Sequence, residues 1–262
     1  MPEGHTIHRL ARDLASTLGT EPLQVTSPQG RFADGAADLD GRSLVQADAW
    51  GKHLFLDFDG PRLHVHLGLI GKFRRPRGDG PIPDSVRLRI ENGDTAWHLT
   101  GPQTCRLVEP GEVSEITDKL GPDPLRRGAR PDRFVEALAR RRAPIAAALL
   151  DQNIIAGIGN VYRAEFLFIE GIDPVTPAAN LRPDQALALW DLAKAQLRQG
   201  VRLNRIVTVS ADDAGSPPGR LRRADALYVY KREGRPCRRC ATEITIGQVG
   251  GRSCWWCPSC QS

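Results

Sequence analysis

The stretch that most narrows the fold is CRRCATEITIGQVGGRSCWWCPSC, residues 237–260. It contains two Cys-x-x-Cys pairs, Cys237 with Cys240 and Cys257 with Cys260, separated by sixteen residues. Two pairs of thiolates joined by a span long enough for a β-hairpin form the tetrahedral sulfur set of a structural zinc ribbon. Because two short strands are marginal alone, the metal is expected to supply most of the folding free energy of this segment.

Other interpretations of these cysteines stay open at this point. A disulfide pair or unrelated buried thiols would fit the same spacing, although disulfides conflict with a cytosolic location. Cys254 also forms a Cys-x-x-Cys with Cys257, but that pairing would strand Cys260 and shorten the loop to thirteen residues. We therefore expect one structural Zn2+, held by Cys237, Cys240, Cys257 and Cys260.

Length and charge narrow the class of protein. The 262 residues suffice for two domains with a sizeable core. Residues 1–20 carry charges and histidines throughout, and the longest apolar run, residues 143–150, is too short to span a bilayer. We therefore expect a soluble cytoplasmic protein that does not bind membranes.

The positive charge is concentrated at the C-terminal end. Residues 201–262 hold 11 Lys and Arg against 5 Asp and Glu, whereas the rest of the chain is nearly neutral. A localised Arg-rich surface is typical of proteins that bind a phosphate-bearing partner, and a solvated charged face is the ordinary alternative.

The N-terminal half changes from a helical pattern to a strand pattern. Residues 1–19 place Ile and Leu at helical spacing and end on Gly19, which predicts a short amphipathic helix. From about residue 22 to 110 the hydrophobic period is two, with turn signals at 59–61 and 92–94. This half therefore predicts an antiparallel sandwich or barrel.

The C-terminal half reads as helical until the cysteine-rich tail. A Pro/Gly-rich linker at 120–132 precedes four apolar-periodic segments, the last of which predicts a helix that ends with Gly200 as its C-terminal cap. Residues 204–224 are polar and Arg-rich and predict a mobile loop.

Seven short motifs stand out along the chain. They are PEG at 2–4, WGKHLF at 50–55, HLGLIG at 66–71, LGPDPL at 120–125, IAGIGNVYRAE at 155–165, YKREGRPCRRC at 230–240 and GRSCWWCPSCQ at 251–261. In this order they resemble the bacterial formamidopyrimidine-DNA glycosylase and endonuclease VIII enzymes of base-excision repair. The resemblance runs nearly end to end, and it implies an α+β fold and a monomer that binds damaged DNA. It divides the chain into an N-terminal catalytic β-sandwich domain (1–119), a helical domain with a helix–two-turn–helix (120–225) and a zinc-finger hairpin (226–262).

The resemblance assigns the chemistry to the first residues. Removal of Met1 would leave Pro2 as a secondary α-amine, and an α-amino group has a pKa near 8 against about 10.4 for lysine, so more of it is unprotonated at neutral pH. The family implies that this amine attacks C1′ of the damaged nucleotide and forms a Schiff base, with Glu3 protonating the sugar ring oxygen. Lys52 is implied to reach a DNA phosphate and to assist proton transfer, although a lysine there would ordinarily only snorkel at a sheet edge.

The resemblance also assigns contacts with the DNA backbone. Gly157 and Gly159 give tight turns with exposed amides ahead of a helix, and Asn160 adds a side-chain donor. Without the family, this segment would be only a helix connector. Arg252, between the cysteine pairs, is implied to contact the phosphates flanking the lesion, because a guanidinium can fork onto phosphate oxygens. It also counts among the expected catalytic residues, through a role in the second elimination.

An apolar wedge should fill the gap left by an extruded base. The motif HLGLIG places Leu69 where family members insert their main wedge, with Ile70 beside it. The alternative is a core leucine on a strand.

Several departures from the family bear on the substrate. His5 and Thr6 replace a common Pro and Glu, and Gly68 replaces the glutamine of the endonuclease VIII wedge. Residues 101–107 read GPQTCRL in place of the DPRRFG segment from which the formamidopyrimidine branch inserts an Arg and a Phe. The loss of that inserted Arg and Phe favours oxidised pyrimidines as substrates. The expected enzyme then cleaves the strand by β,δ-elimination. The alternatives are an 8-oxoguanine glycosylase and a catalytically weak paralogue that binds damaged DNA.

Two further sets of residues are expected to be unreactive. The N-terminal half contains the histidines His5, His8, His53, His64 and His66, and positions 64 and 66 share a strand face, which could suggest a second metal site. No carboxylate accompanies them at compelling spacing, so we expect no second metal site. Cys105 stands alone and is expected to be an inert buried thiol.

Overall fold

The computed structural model describes residues 2–76, 78 and 80–262. The expected removal of Met1 concerns a residue outside this part of the chain. The chain divides into two compact units, one ending at Lys119 and the other running from Leu120 to Ser262. None of the helices in the described ranges is long and apolar enough to cross a membrane.

The first unit opens with helix α1, Gly4–Leu18. Ile7, Leu10 and Leu14 recur at three- and four-residue spacing and are buried, as the pattern predicted. The helix ends at Gly19, whose φ of 69° lies in the left-handed region that glycine occupies without strain.

Two four-stranded antiparallel sheets and α1 enclose the core of this unit. One sheet has the order β1-β6-β7-β5 and the other β2-β3-β4-β8. Hairpin turns join β3 to β4 and β6 to β7 at the two predicted positions, and the predicted α+β class with an antiparallel sandwich is confirmed. The elements are β1 Gln24–Thr26, α2 Ala33–Leu39, β2 Leu44–Trp50, β3 His53–Phe58, β4 Arg62–His66, β5 Lys72–Arg74, β6 Val86–Glu91, β7 Ala96–Thr100, β8 Thr104–Val108 and α3 Pro110–Thr117.

The period-two pattern gave no sign of α2 and α3. Helix α3 nevertheless has a clear local signal, because Pro110 occupies its first turn and Glu109 and Glu112 form a reciprocal capping box.

The second unit is helical and ends in a β-hairpin. Its helices cover the four predicted segments, but α7 continues through Gly200 to Leu203, so the predicted cap at Gly200 is wrong. The helix ends instead at Asn204, which adopts φ 52°, a left-handed conformation that asparagine tolerates. The elements are α4 Pro131–Ala139, α5 Ile145–Ala148, α6 Asn160–Ile169, α7 Pro183–Leu203, α8 Ala211–Ala214, β9 Thr245–Val249 and β10 Arg252–Trp256.

The segment predicted as a loop, residues 204–224, is partly built into this unit. Val207 and Val209 are buried, and α8 is capped by the Ser210 hydroxyl, which accepts a hydrogen bond from the Asp213 backbone N–H. Mobility of this segment stays a prediction.

Candidate active site and nucleic-acid interface

The residues after Pro2 are fixed by the start of α1. Glu3 is the N-cap of the helix, its backbone carbonyl accepts a hydrogen bond from the Thr6 N–H at 2.8 Å, and the residue is fully buried. A carboxylate at this end is favoured by the positive end of the helix dipole. Burial lowers the pKa of His5 to about 4, so this residue, one of the departures from the family, is neutral at pH 7.

Lys52 lies in the tight turn between β2 and β3, one residue before the strand where the sequence placed it. Gly51 precedes it with φ 57°, and Trp50 pairs with His53 across the turn. Helix α1 packs against both β2 and β3. Pro2 and Glu3 thus directly precede a helix that packs against the two strands joined by the turn of Lys52.

A cluster of neutral histidines follows Lys52 on the same sheet. His53 Nδ1 and His64 Nε2 are 3.0 Å apart, and the ring centroids of His53 and His66 are 4.9 Å apart. Burial is the main reason that the pKa of His53 falls to about 3 and that of His64 to about 4. The positive charge of Lys52 also lowers the pKa of His53 and His66. Among the described residues, the one group of three or more potential metal ligands close enough to share an ion consists of cysteines.

The predicted wedge residues stand in solvent. Leu69 is 59% exposed and Ile70 79% exposed, which excludes the alternative that Leu69 belongs to the core. The turn that presents them closes where the Gly71 N–H donates to the Leu67 carbonyl at 3.0 Å, and a Cβ on Gly71 would lie 2.2 Å from that oxygen. Their insertion into DNA stays a prediction.

The two departures near the wedge lie against each other. The turn between β7 and β8 carries Gln103, and a Cβ on Gly68 would lie 2.9 Å from the Gln103 Cβ. Gly68 also has φ 64°. Gly68 has no side chain, and Gln103 occupies the space that one would fill.

In the second unit, four cysteines form the predicted metal site. The Sγ atoms of Cys237, Cys240, Cys257 and Cys260 all lie within 4.8 Å of one another, and three of the Sγ–Sγ separations are 3.3, 3.4 and 3.9 Å. Four thiolates around Zn2+ at about 2.3 Å would be about 3.8 Å apart, so this cluster fits a tetrahedral ion. Cys254 is outside the cluster and buried.

Cys105, the isolated cysteine of the first unit, is half-buried. Burial raises the pKa of its thiol to about 12, so the thiolate is scarce at neutral pH.

The turn before α6 differs from the expectation of exposed amides. Gly157 and Gly159 are both buried. The Gly157 N–H donates to the Gln152 Oε1 at 3.0 Å, because the Gln152 side chain bridges the turn and its Nε2 also donates to the Ile158 carbonyl. Gly157, at φ 94°, therefore shapes the turn and does not offer a free donor.

Asn160 begins α6 and connects it to the hairpin. Its Nδ2 donates to the Ser253 carbonyl at 3.0 Å, which uses one of its two N–H bonds, and its Oδ1 accepts from Arg163 at 2.6 Å. The sequence placed Asn160 near DNA but did not indicate this contact with β10.

Arg252 is exposed at the start of β10. The two-residue turn before it, Gly250 and Gly251, has φ values of 63° and 72°, the double left-handed geometry of a tight hairpin. The guanidinium is thus carried in solvent at the end of a short, closely turned hairpin, as a phosphate contact requires.

Sequence reasoning missed two fully buried charged residues in the motif at 155–165, Arg163 and Glu165. The Glu165 carboxylate accepts hydrogen bonds from the backbone N–H groups of Tyr228, Val229 and Tyr230 at 2.7 to 2.9 Å and from the Thr208 hydroxyl. The available signal was that both charges stand within an almost wholly apolar helix.

Comparison with known proteins agrees with this architecture. Residues 1–106 match the formamidopyrimidine-DNA glycosylase N-terminal domain, and residues 120–211 match the formamidopyrimidine-DNA glycosylase H2TH domain. Endonuclease 8 1 of Mycobacterium tuberculosis is 43% identical over 269 residues, with 100% of both chains covered. The DNA-(apurinic or apyrimidinic site) lyase Nei2 of Mycolicibacterium smegmatis is 33% identical, with 100% of this chain and 99% of the relative covered.

A solved structure extends the likeness to the fold. The complex of Lactococcus lactis Fpg (MutM) with DNA containing N7-benzyl-Fapy-dG superposes with a TM-score of 0.82 at 25% identity, with 100% of both chains covered. The four-cysteine cluster and the exposed apolar turn lie on a chain that matches these relatives over its whole length. The chain belongs to the formamidopyrimidine-DNA glycosylase and endonuclease 8 family of base-excision-repair DNA glycosylases and abasic-site lyases.

Proposed function

We propose that the protein excises oxidised pyrimidines from DNA through a Schiff base on Pro2 and then cleaves the strand by β,δ-elimination. The observation that carries this proposal is the anchored N-terminus. Glu3 is fully buried at the N-cap of α1, so the backbone next to Pro2 is held in place, whereas most chain termini fray.

The proposed chemistry begins when the Pro2 nitrogen donates its lone pair to C1′ and the glycosidic bond breaks, with the bonding electrons leaving on the base. The Pro2 nitrogen then loses its N–H proton, and the departed base takes up a proton. Glu3 protonates the ring oxygen, the bond between C1′ and that oxygen opens, and an iminium ion remains on Pro2. Loss of a C2′ proton then expels the 3′ phosphate, and a second elimination expels the 5′ phosphate. Lys52 assists these proton transfers, and water releases Pro2 by hydrolysis.

The DNA contacts in this proposal come from both units. Leu69 and Ile70 fill the gap left by the extruded base, and their exposure supports that role. Asn160, with Gly159 before it, and Arg252 bind backbone phosphates, and Arg252 assists the second elimination.

The metal in the cysteine cluster is proposed to be one structural Zn2+. An ion there closes the ends of the hairpin strands and so supports the turn that carries Arg252. No open ligand position is implied, since four thiolates already complete the tetrahedron.

The remaining proposals concern organisation. We propose three domains, 1–119, 120–225 and 226–262, and a monomer that acts in the bacterial cytoplasm. The preference for pyrimidines draws support from the relative named endonuclease 8 1 and from the absence of Arg and Phe in the turn that carries Gln103.

The test is borohydride trapping of the covalent intermediate. Protein with a free Pro2 is incubated with duplex DNA that contains an abasic site or 5-hydroxyuracil, and borohydride then reduces the iminium to a stable adduct. The matched control carries an uncleaved N-terminal tag, which blocks the amine and leaves every side chain in place. A Pro2→Gly variant is a weaker control because its primary amine can still react.

An adduct that forms with free Pro2 and vanishes with the tag supports the lyase step, and an adduct with 5-hydroxyuracil supports base excision as well. Trapping on 8-oxoguanine but not on 5-hydroxyuracil would change the substrate assignment from oxidised pyrimidines to 8-oxoguanine. Absence of any adduct, with DNA binding and one zinc per chain intact, would leave only a protein that binds damaged DNA.

A further inference from the structure

Arg163 lies fully buried at the meeting point of three elements of the second unit. Its Nη1 donates to the carbonyls of Ala146 on α5 and Val249 on β9, both at 3.1 Å. Its Nη2 donates to the Asn160 Oδ1 at 2.6 Å and to two carbonyls of β10, those of Arg252 at 3.4 Å and Ser253 at 2.9 Å. One guanidinium therefore joins both strands of the hairpin to the helix pair.

These acceptors are neutral oxygens, four backbone carbonyls and one amide. Arginine does not lose its proton in proteins, so the side chain keeps a full positive charge where the solvent cannot screen it. A buried charge is retained only where hydrogen bonds compensate its desolvation, and the planar fork of arginine meets carbonyls on two sides at once. An apolar side chain of similar volume would fill the same space without the desolvation free energy that a buried charge costs.

The contact with Asn160 decides which way its side chain points. An asparagine amide can be placed in two orientations, and only the one with Oδ1 toward Arg163 is compatible with a guanidinium donor. In that orientation Nδ2 points toward the hairpin, where one N–H donates to the Ser253 carbonyl. Because the amide is planar, the direction of the second Nδ2–H bond is then fixed as well.

The contacts with β10 set the position of the second phosphate-binding candidate. Arg163 donates to the carbonyls of Arg252 and Ser253, the first two residues after the glycine turn. The same guanidinium thus fixes the backbone that carries Arg252 and the amide of Asn160.

We propose that Arg163 is a positioning residue that orients Asn160 and Arg252 for binding DNA phosphates, an inference that rests on the proposed function. Arg163 does not touch the DNA. It acts through the two side chains that do, and its buried charge also raises the positive potential at the first turn of α6, where a phosphate would approach Asn160.

The test is a double-mutant cycle on full-length, zinc-loaded protein. Arg163→Met keeps the length of the side chain and removes its donors, and Arg163→Lys keeps the charge without the fork. Arg182→Met is the matched control, because it removes an arginine from the same unit, where Arg182 forms an exposed pair with Asp184. Each change is made in the natural chain and in the Asn160→Ala/Arg252→Ala background.

Dissociation constants are measured for duplex DNA with a tetrahydrofuran abasic analogue, and borohydride trapping rates are measured at saturating abasic DNA. We expect Arg163→Met to raise the dissociation constant at least tenfold, Arg163→Lys to raise it less, and Arg182→Met to leave it within twofold. In the Asn160→Ala/Arg252→Ala background, Arg163→Met should change it less than threefold. Trapping at saturation should stay within threefold, since the nucleophile belongs to the first unit.

Equal losses of affinity in both backgrounds would overturn the inference, because Arg163 would then act independently of the two residues. Loss of zinc in both Arg163 variants would also overturn it in favour of a structural role, and Arg163→Lys decides the matter if Arg163→Met does not fold. A natural chain that binds abasic DNA without forming an adduct fails the proposed chemistry, yet the cycle of dissociation constants still tests Arg163.

Discussion

Gly250 lies against Ala147 so closely that a Cβ on Gly250 would be 2.7 Å from the Ala147 Cβ. The hairpin turn therefore docks on α5 through a bare backbone. The neighbouring Gly251 has the same left-handed conformation, but no atom lies within 4 Å of the position its Cβ would take. Substitutions at the two glycines therefore distinguish the effect of backbone strain from the effect of steric overlap.

Gly250→Ala should destabilise the protein more than Gly251→Ala. Both substitutions place alanine at positive φ, at about 1 kcal/mol each, and only Gly250→Ala adds overpacking of about 1–3 kcal/mol. Calorimetric melting of the zinc-loaded chain checks the difference. Equal melting temperatures for the two variants would show that the turn does not dock tightly on α5.

Glu165→Gln should destabilise the second unit strongly. A glutamine offers one acceptor oxygen and turns an NH2 group toward amide donors, so buried N–H groups lose their partner, at about 3 kcal/mol. Thr208→Val is the control, because it removes only the hydroxyl that Glu165 accepts from, at about 1 kcal/mol. Thermal melting compares them, and similar losses would mean that the carboxylate contributes little beyond that single contact.

Leu69→Ala and Ile70→Ala should impair activity without affecting stability. Both side chains are mostly exposed, so the free energy of unfolding should change by less than about 0.5 kcal/mol. Single-turnover excision of 5-hydroxyuracil should slow about tenfold, the equivalent of about 1.4 kcal/mol of lost wedge contact. Val45→Ala, at another exposed apolar position, should change neither quantity. A normal excision rate in both wedge variants would remove these residues from the mechanism.

Cys240→Ser should abolish zinc binding, and Cys254→Ala should not. Cys240 contributes a thiolate to the cluster, whereas Cys254 is packed in the apolar core of the second unit. Metal analysis of the purified chains should give close to one zinc for Cys254→Ala and little for Cys240→Ser. Zinc loss in Cys254→Ala, with a melting temperature near that of the natural chain, would reassign the ligands.

Stability should fall as the pH drops from about 6.5 toward 4. Burial lowers the pKa values of His53 and His64 in the folded chain to about 3 and 4, below the ordinary 6.5. Above pH 6.5 these histidines are mostly unprotonated in both the folded and the unfolded chain, so the free energy of unfolding has its full value. Between pH 6.5 and 4 the unfolded chain binds more protons than the folded chain, which lowers the free energy of unfolding. Melting temperatures between pH 7.5 and 4.5 check this, and His64→Gln should flatten the curve. A curve unchanged by that substitution would assign the pH dependence to other groups.

The sequence predicted those features that a local pattern specifies. The cluster of four cysteines follows from their spacing. The hairpin turns at 59–61 and 92–94 follow from glycines that interrupt segments in which apolar and polar residues alternate. Leu69 was ambiguous between wedge and core, because an apolar residue beside a strand fits both, and only its surroundings decide.

Features that depend on distant partners were missed. Arg163 and Glu165 look like solvated helix charges until their acceptors and donors are in place, most of them on segments more than forty residues away in sequence. The amide of Gly157 was expected to be exposed because sequence does not show that Gln152 folds back onto it. Gly200 was read as a helix end because its neighbours in the fold, which bury it, were unknown.

The exposed turn at Leu69 and Ile70 keeps part of the apolar surface of the first unit in contact with water after the chain has folded. Many apolar side chains of the first unit are buried on folding, but these two stay exposed to water. Their transfer into a base stack would therefore register as a negative heat-capacity change of binding. Part of the heat-capacity change that accompanies folding in most proteins would then accompany the binding of a lesion.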